Sequence, residues 1–463
     1  MNVEVTGEAR KGIERSPALS YQEVLDMDTR EVPAALREER VVDIGVEPIP
    51  ISRYTDPAYF RQEVDKVWLK VWQFACREED IPNAGDFTTY DIVGKSLLIV
   101  RQKDGGIRAF ANSCLHRGRK LATTGGCKEK FRCMYHGWTW NADGTFHENP
   151  MPWDFPQAPA DELKLPEVKT GTWGGFVFVT FDPDAPPLFS VIGKLAEHFE
   201  RWKLEDCVKS MHVAKVIPAN WKAVSEAFME SHHSITTHPQ ILPYLADENS
   251  QYDVLSDYVT RQISATGVSS PFVDQSKISQ DDIIASMFST SGRQNVQDKA
   301  SMKVPEGMTA RAFAAEIFRQ TLTADDGIDY SDKSDAEMVD AILYNVFPHM
   351  SFWAGFGPNL IYRWRPVGLS HEHTLMEVMR LRRAPKNGPR PKPVPMHMLS
   401  ESESWSDAKE LGGLADIFEQ DMANLPYVQE GMNASMTGVL HFGRYSEMRI
   451  RQHHVMLDRY MAK

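Results

Sequence analysis

The sequence predicts an α+β protein: a small antiparallel β domain followed by a larger domain whose antiparallel sheet is covered by helices. Three observations carry this. From Phe87 onward, short strand-like segments ("FTTYDIV", "KSLLIVRQ", "IRAFANS", "FRCMY", "WTWNADGTFHEN") follow one another, with Asp104-Gly105-Gly106 and Asp143-Gly144 at hairpin turns. Later strand patterns ("SMHVAKVIP", "AILYNVFPHMSFWAGF", "LIYRWRPVG", "HTLMEVMRLRRA") are bracketed by helical ones, which suits a sheet covered on one face. The 463 residues, 42% hydrophobic, suffice for two or three domains.

In chain order, residues 1–54 are charged and weakly periodic, and read as an N-terminal arm that packs on the body or on a neighbour. "PAYFRQEVDKVWLKVWQFAC" spaces Phe60, Val64, Val67 and Trp68 as an amphipathic helix does. The first domain, 55–195, ends beyond "TWGGFVFVTFDPDAPPL", a buried strand running into an Asp-Pro turn before the helical "FSVIGKLAEHFERWKL". The second, 196–463, opens with a strand and a helix starting near Asn220, then a long polar stretch from about 246 to 338 with mixed helical signals. Strands return, and a helix over about 402–432 closes the chain. No internal repeat or low-complexity tract is visible.

With 51 basic and 64 acidic residues the net charge is −13, which argues against a general nucleic-acid or anionic-membrane binder. The N-terminus has no apolar core of a signal, and no run reaches the roughly 18 apolar residues of a membrane span. Five cysteines, an odd number, do not suggest a disulfide framework, and the expected location is cytoplasmic.

"CLHRGRK" and "CMYHGW" each offer one cysteine and one histidine, Cys114 with His116 and Cys133 with His136, separated by sixteen residues. Two such loops can close on one centre, either tetrahedral zinc or a [2Fe-2S] cluster with both thiolates on one iron and both imidazoles on the other. Zinc fingers usually pair like with like; here each loop gives one of each, which favours the cluster. Gly118, Gly125, Gly126 and Gly137 would let backbone N–H groups approach the sulfurs. Cys127 has no histidine partner and reads as a small buried side chain.

"CLHRGRKL" and "CMYHGWTWNADG" resemble the Rieske signature of the non-haem iron oxygenase α subunits, of the aromatic ring-hydroxylating type. Downstream, "NWKAVSEAFMESHH" followed by His238 resembles that family's iron-binding motif. On a helix from Asn220, Glu226, Glu230 and His233 would share one face. Two imidazoles and a carboxylate leave open positions on Fe(II) for O2 and substrate. The resemblance makes His233 and His238 iron ligands and places the carboxylate at Asp421, in the helical "FEQDMANLPYVQEGM", with Glu419 and Asp416 as alternatives. It assigns Glu230 as the candidate catalytic residue, bonding a ligand histidine and bridging to the Rieske His136 of a neighbouring subunit, in a cyclic oligomer, usually a trimer. Two positions depart from the family: Ala227 where an asparagine is common, and His232 where a tyrosine is usual, so the ligand could also be His232.

The resemblance implies a helix-grip catalytic domain. It also implies a terminal oxygenase holding a [2Fe-2S] Rieske cluster and mononuclear Fe(II), fed with NAD(P)H electrons by a ferredoxin or flavin reductase. The substrate would be a small organic molecule, preferably aromatic, with O2; a homotrimer or a complex with a small β subunit is expected, and no membrane or nucleic-acid partner. The alternatives are a monooxygenase or demethylase of quaternary amines or methoxy compounds, a Rieske electron-transfer protein without oxygenase activity, and a zinc-stabilised interaction protein. Six basic residues against one acid between Arg117 and Arg132 form either a solvated loop or a docking patch for an acidic electron donor. Phe228, Met229, Ile235, Phe347, Met350, Phe352 and Trp353 are either pocket lining or plain core, and the 246–338 stretch is expected to cover the entrance.

Overall fold

The computed structural model describes residues 16, 18–290, 302–357 and 359–463; the start of the expected arm and part of the polar stretch lie outside the described residues. Two compact units form, one from Arg61–Ser190 with Pro366–Ser370, the other from the chain up to Phe60, Val191–Arg365 and His371–Lys463.

The smaller unit carries β1 (Gln73–Arg77), β2 (Asp86–Ile92), β3 (Lys95–Arg101), β4 (Ile107–Ala111), β5 (Gly126–Cys127), β6 (Lys130–Arg132), β7 (Thr139–Asn141), β8 (Phe146–Glu148), β9 (Glu167–Trp173) and β10 (Phe176–Thr180). Seven of them form a sheet in the order β1-β10-β9-β4-β3-β2-β5, and β6-β7-β8 form a second. The β3–β4 hairpin turns where the Asp-Gly-Gly signal stands, the Asp104 carboxylate accepting from Gly106 N–H at 2.9 Å. Its core joins Phe87, Leu98, Phe110, Phe131, Trp138 and Trp140 to the two cysteines Cys114 and Cys133. Upstream, the amphipathic segment is a helix Pro57–Glu63 that widens into one π turn, Val64–Trp68, and Phe60, Val64, Val67 and Trp68 are buried as their spacing requires.

In the larger unit, β11 (Cys207–Ile217), β12 (Leu245–Val254), β13 (Val259–Thr266), β14 (Ala341–Val346), β15 (Met350–Trp353), β16 (Leu360–Pro366), β17 (Thr374–Arg383) and β18 (His397–Met398) build one sheet ordered β12-β13-β14-β15-β16-β17-β11-β18. β11 runs antiparallel to β17 and parallel to the short edge strand β18. Helix Leu414–Asn433 lays Phe418 and Leu425 on Tyr362, Trp364, Met376 and Val378 of the sheet.

Three expectations need correction. β12 and β13 lie inside the stretch that reads as polar and partly helical. Many of their polar side chains are buried, and several are satisfied inside the fold, as where the Arg261 guanidinium donates to Asp253 at 2.7 and 2.9 Å. The C-terminal helix starts at Leu414 rather than near 402, because Gly412 takes a left-handed turn (φ 57°) after two short 3-10 turns. A further helix, Met448–Met461, closes the chain; it buries Arg449, Gln452, His453 and His454, so it shows no apolar stripe in the sequence.

The N-terminal segment packs within the larger unit. Tyr21 donates to Asp340 at 2.8 Å, Arg40 N–H to Asp253 at 2.6 Å, and Gln251 to the Glu38 carbonyl at 2.9 Å. Ile49–Pro50 pairs with Val439–Leu440. No described helix is long and apolar enough to cross a membrane.

Candidate metal centres

The two Cys-His loops share one hydrogen-bond pattern. Cys114 N–H donates to the Arg119 carbonyl at 2.9 Å and Gly118 N–H returns to the Cys114 carbonyl at 2.9 Å. Cys133 N–H donates to the Trp138 carbonyl at 2.8 Å and Gly137 N–H returns to Cys133 at 3.0 Å. Both glycines are left-handed, φ 75° and 79°, a conformation that lets each loop turn back on its cysteine. Gly125 and Gly126 instead lie against Phe87 on β2. Asn112, 2% exposed, holds the first loop at its base: its side-chain oxygen accepts from Leu121 and Ala122 N–H, and its amide donates to Ala122 and Ser96.

Cys114 and Cys133 are buried, and the His116 and His136 rings lie 4.5 Å apart. Trp138 stacks on His116 at 5.1 Å with Phe155 at its edge. His116 Nδ1 is buried and has no hydrogen-bond partner among the described residues, which leaves it open as a ligand atom. Burial raises the Cys114 thiol and lowers the His116 imidazole, the latter helped by His136 and Arg117. A neutral imidazole is ready to ligate, while the thiol gives up its proton to a metal. Two thiols and two imidazoles on matched loops fit a [2Fe-2S] group of the Rieske kind. Cys127 is exposed, contrary to expectation, because it lies on the two-residue edge strand β5. The six basic residues are exposed; Lys120 pairs with Asp91 at 3.0 Å, and Arg117 lies over the Tyr135 ring.

In the larger unit, Asn220 caps helix Trp221–Glu226 by accepting from Lys222 N–H. That helix ends at Glu226, short of the continuous helix expected through His233. Ser231 N–H is taken by the Tyr252 hydroxyl at 3.1 Å, and the Glu230 carboxylate accepts His233 N–H at 3.0 Å, so neither continues the ladder. A short turn of helix, Ser234–Thr237, then separates His233 from His238.

His233, His238 and Asp421 come together, each offering a ligand atom within 4.8 Å of the others. His238 Nε2 lies 2.9 Å and His233 Nε2 3.7 Å from the same Asp421 oxygen. The Nδ1 of each ring is held from behind: His233 donates to Glu230 at 2.6 Å, and His238 to Gln420 at 2.7 Å. Fixing the proton on Nδ1 leaves both Nε2 lone pairs facing the carboxylate, which is the donor set of a mononuclear Fe(II) site. Burial pulls the His233 imidazole down, but the Glu230 bond and charge outweigh it and raise it.

The other candidates point elsewhere. Asp416 is exposed, Glu419 accepts Ser406 N–H at 3.2 Å, and His232 is exposed 3.9 Å from Glu248. Glu226 is engaged by the Tyr54 hydroxyl at 2.9 Å and His454 Nε2 at 3.1 Å. The sequence reading missed Gln420 and Gln240, which donates to the Gln420 oxygen at 2.6 Å. Gln420 could have been singled out only as the neighbour of Asp421.

The triad opens on a cavity of about 810 Å³. Phe228 and Trp353 line it as expected, with Ala227, Tyr362, Phe418, Met287 and Phe318; Met229, Ile235, Phe347, Met350 and Phe352 do not.

Two family descriptions match the chain: "Rieske [2Fe-2S] domain" over residues 71–159 and "Ring hydroxylating alpha subunit (catalytic domain)" over 194–463. The carnitine monooxygenase oxygenase subunit of Escherichia coli (strain K12) is 30% identical over 199 residues, 41% of this chain and 52% of that protein. Biphenyl 2,3-dioxygenase subunit alpha of Rhodococcus jostii (strain RHA1) is 32% identical over 191 residues, 40% of this chain and 42% of that protein. The chain thus spans about half the length of the curated relatives it matches. A solved quaternary ammonium Rieske monooxygenase shares the fold at TM-score 0.64 and 18% identity, over 90% of this chain and 96% of the other.

Proposed function

The chain belongs to the ring-hydroxylating α-subunit family, and from that premise we infer that it is the terminal oxygenase of a multicomponent system. It hydroxylates a small organic, preferably aromatic, substrate with O2 and electrons drawn from NAD(P)H through a ferredoxin or flavin reductase. Cys114, His116, Cys133 and His136 hold the Rieske cluster, and His233, His238 and Asp421 hold Fe(II). When bound, the cluster passes electrons singly and the iron activates O2 beside the substrate.

The chain's own residues do the rest. Glu230 and Gln420 keep the Nδ1 protons of the two histidines in place, and the rings of Phe228, Trp353 and Tyr362 keep water from the reacting face. We assign 55–195 to the Rieske domain, 196–463 to the catalytic domain and 1–54 to an arm. Glu230 would also meet His136 of a neighbouring subunit in a homotrimer, the exposed basic loop would receive an acidic electron donor, and the cytoplasm is the expected location.

The single observation that supports this most is the convergence of two imidazoles and one carboxylate within 4.8 Å at the wall of a ligand-sized cavity. Iron and labile-sulfide analysis with an optical spectrum tests it, together with NADH-dependent O2 uptake using a surrogate reductase. A colourless zinc protein, or a cluster without mononuclear iron or substrate-dependent O2 uptake, refutes it.

A second reading, oxidation of a quaternary amine, draws on the rings of Phe228, Tyr362 and Phe418, whose centroids lie 5.0 to 6.4 Å apart, and on the carnitine-oxidising relative. Quaternary amines run beside aromatics in the same O2-uptake assay separate the two.

A further inference from the structure

The cavity that holds the triad also holds a strong cation with nothing to pair it. Arg380 lines the wall, half-buried, and among the described residues its guanidinium has no hydrogen bond or ion pair. Three other arginines nearby are engaged; Arg382, exposed two residues along the strand, lines the same cavity and among the described residues likewise has no hydrogen bond or ion pair. Arg363 donates to Glu377 at 2.6 and 2.7 Å, Arg365 reaches the same carboxylate at 3.0 Å, and Arg383 donates to the Trp202 carbonyl at 2.6 Å.

Strand parity explains the isolation. On β17, Met376 and Val378 face the core with Tyr362 and Phe418, and Arg380 continues that face. Glu377, the nearest carboxylate along the strand, points to the opposite face, where Arg363, Arg365 and His212 consume it. The acidic groups on the cavity wall outside the triad and Glu230 are Asp325, which is exposed, and Asp326, which is held by the Tyr330 hydroxyl at 2.6 Å.

The position of the cation relative to the triad is also informative. The charges of Asp421 and Arg380 both act on the Tyr362 hydroxyl, with opposite sign, and its ring lies 6.2 Å from Phe418, one helical turn before Asp421. Tyr362, Arg380 and the triad thus line the same cavity. Burial and the neighbouring Arg382 lower the affinity of Arg380 for its proton, yet a guanidinium stays charged at neutral pH. An unpaired buried charge is costly. A ligand that brings an anion removes that cost, and a carboxylate matches the planar fork.

Resting on the oxygenase reading above, we propose that Arg380 anchors a substrate carboxylate, so that the enzyme acts on an organic acid whose apolar body lies along Tyr362 toward His233, His238 and Asp421. A neutral hydrocarbon leaves Arg380 unpaired, and a cation without a carboxylate is repelled.

The test is anaerobic calorimetric titration of the holoenzyme with matched pairs of three sizes: benzoate and benzamide, 2-naphthoate and 2-naphthamide, 1-pyrenecarboxylate and its amide. At least one acid is expected to bind roughly ten- to hundredfold more tightly than its amide. Arg380→Gln should remove that preference while leaving amide affinity in place, and Arg380→Lys should restore part of it. Should Arg380→Gln not fold, Arg380→Met and Arg380→Lys carry the comparison. No acid preference, survival of the preference without Arg380, or no binding by any acid overturns the proposal. O2 uptake in parallel separates the two readings. Acid-selective, Arg380-dependent binding without uptake removes the oxygenase and keeps the anchor, whereas uptake with neutral compounds alone does the reverse.

Discussion

Replacing Gln420 with leucine should weaken the mononuclear iron site without touching the Rieske loops. The Gln420 oxygen accepts from His238 Nδ1 at 2.7 Å and from Gln240 at 2.6 Å. Gln240 is half-buried and can turn to water, but His238 is 3% exposed, so its N–H is stranded. A stranded buried donor costs about 1–3 kcal/mol, and the ring is freed to take the wrong tautomer. Both effects fall on the ligating state, so Fe(II) affinity should drop roughly 10- to 100-fold, as for other partners of ligand histidines. The assay is competition for Fe(II) with a colorimetric chelator, with labile sulfide and the optical spectrum as internal controls. An Fe(II) dissociation constant within about twofold of the parent would refute the reasoning, since the tautomer would then not depend on Gln420.

Other outcomes follow from the same geometry. Glu230→Gln should keep both metal contents yet abolish turnover, and full O2 uptake in that variant rules out the bridging role. Asn112→Ala deletes the four side-chain bonds at the base of the first loop; it should cost at least about 2 kcal/mol in thermal denaturation and lower labile sulfide. Burial, and then repulsion from His454, hold His453 down at about 3. The unfolded chain therefore binds the extra proton between that value and about 6.5, and stability falls as the medium is acidified through that window. At pH 5.5 this amounts to about 1.4 kcal/mol for the one site, and His453→Leu should reduce the loss of unfolding free energy between pH 7.5 and 5.5, measured by denaturation at each pH, by that much.

Legibility followed the kind of signal each part leaves. The Rieske loops can be read because each pairs a cysteine with a histidine just ahead of a turn glycine, and the strands of the smaller unit because short apolar runs are separated by Asp-Gly turns. His233 and His238 are close in sequence, but Asp421 lies far along the chain and needed the resemblance to single it out. The helix through His233 was over-read, since periodicity cannot show that Tyr252 and Glu230 would take the backbone N–H groups. β12, β13 and the last helix were hidden for one shared reason. Arg261, Gln262, Arg449 and Gln452 are buried on partners distant in sequence, so composition reads as solvent-facing what the fold encloses.

The segment that pairs with β12 and β13 also imposes an order on synthesis. Arg40 bonds to Asp253 across 213 residues, and the Glu38 carbonyl to Arg261 across 223, with Arg61–Ser190 of the smaller unit between them in sequence. At about 5–20 residues per second a ribosome makes Asp253 some 10–40 s after Arg40. The main part of the smaller unit can close on itself during that delay, while the first part of the larger one waits outside the tunnel for its hydrogen-bond partners. A fragment cut just upstream of the Rieske match would spare the delay but strand Asp253, Gln251 and Arg261. Expression of the catalytic half alone is therefore expected to give aggregate unless the segment around residues 18–60 is supplied, in cis or as a separate peptide.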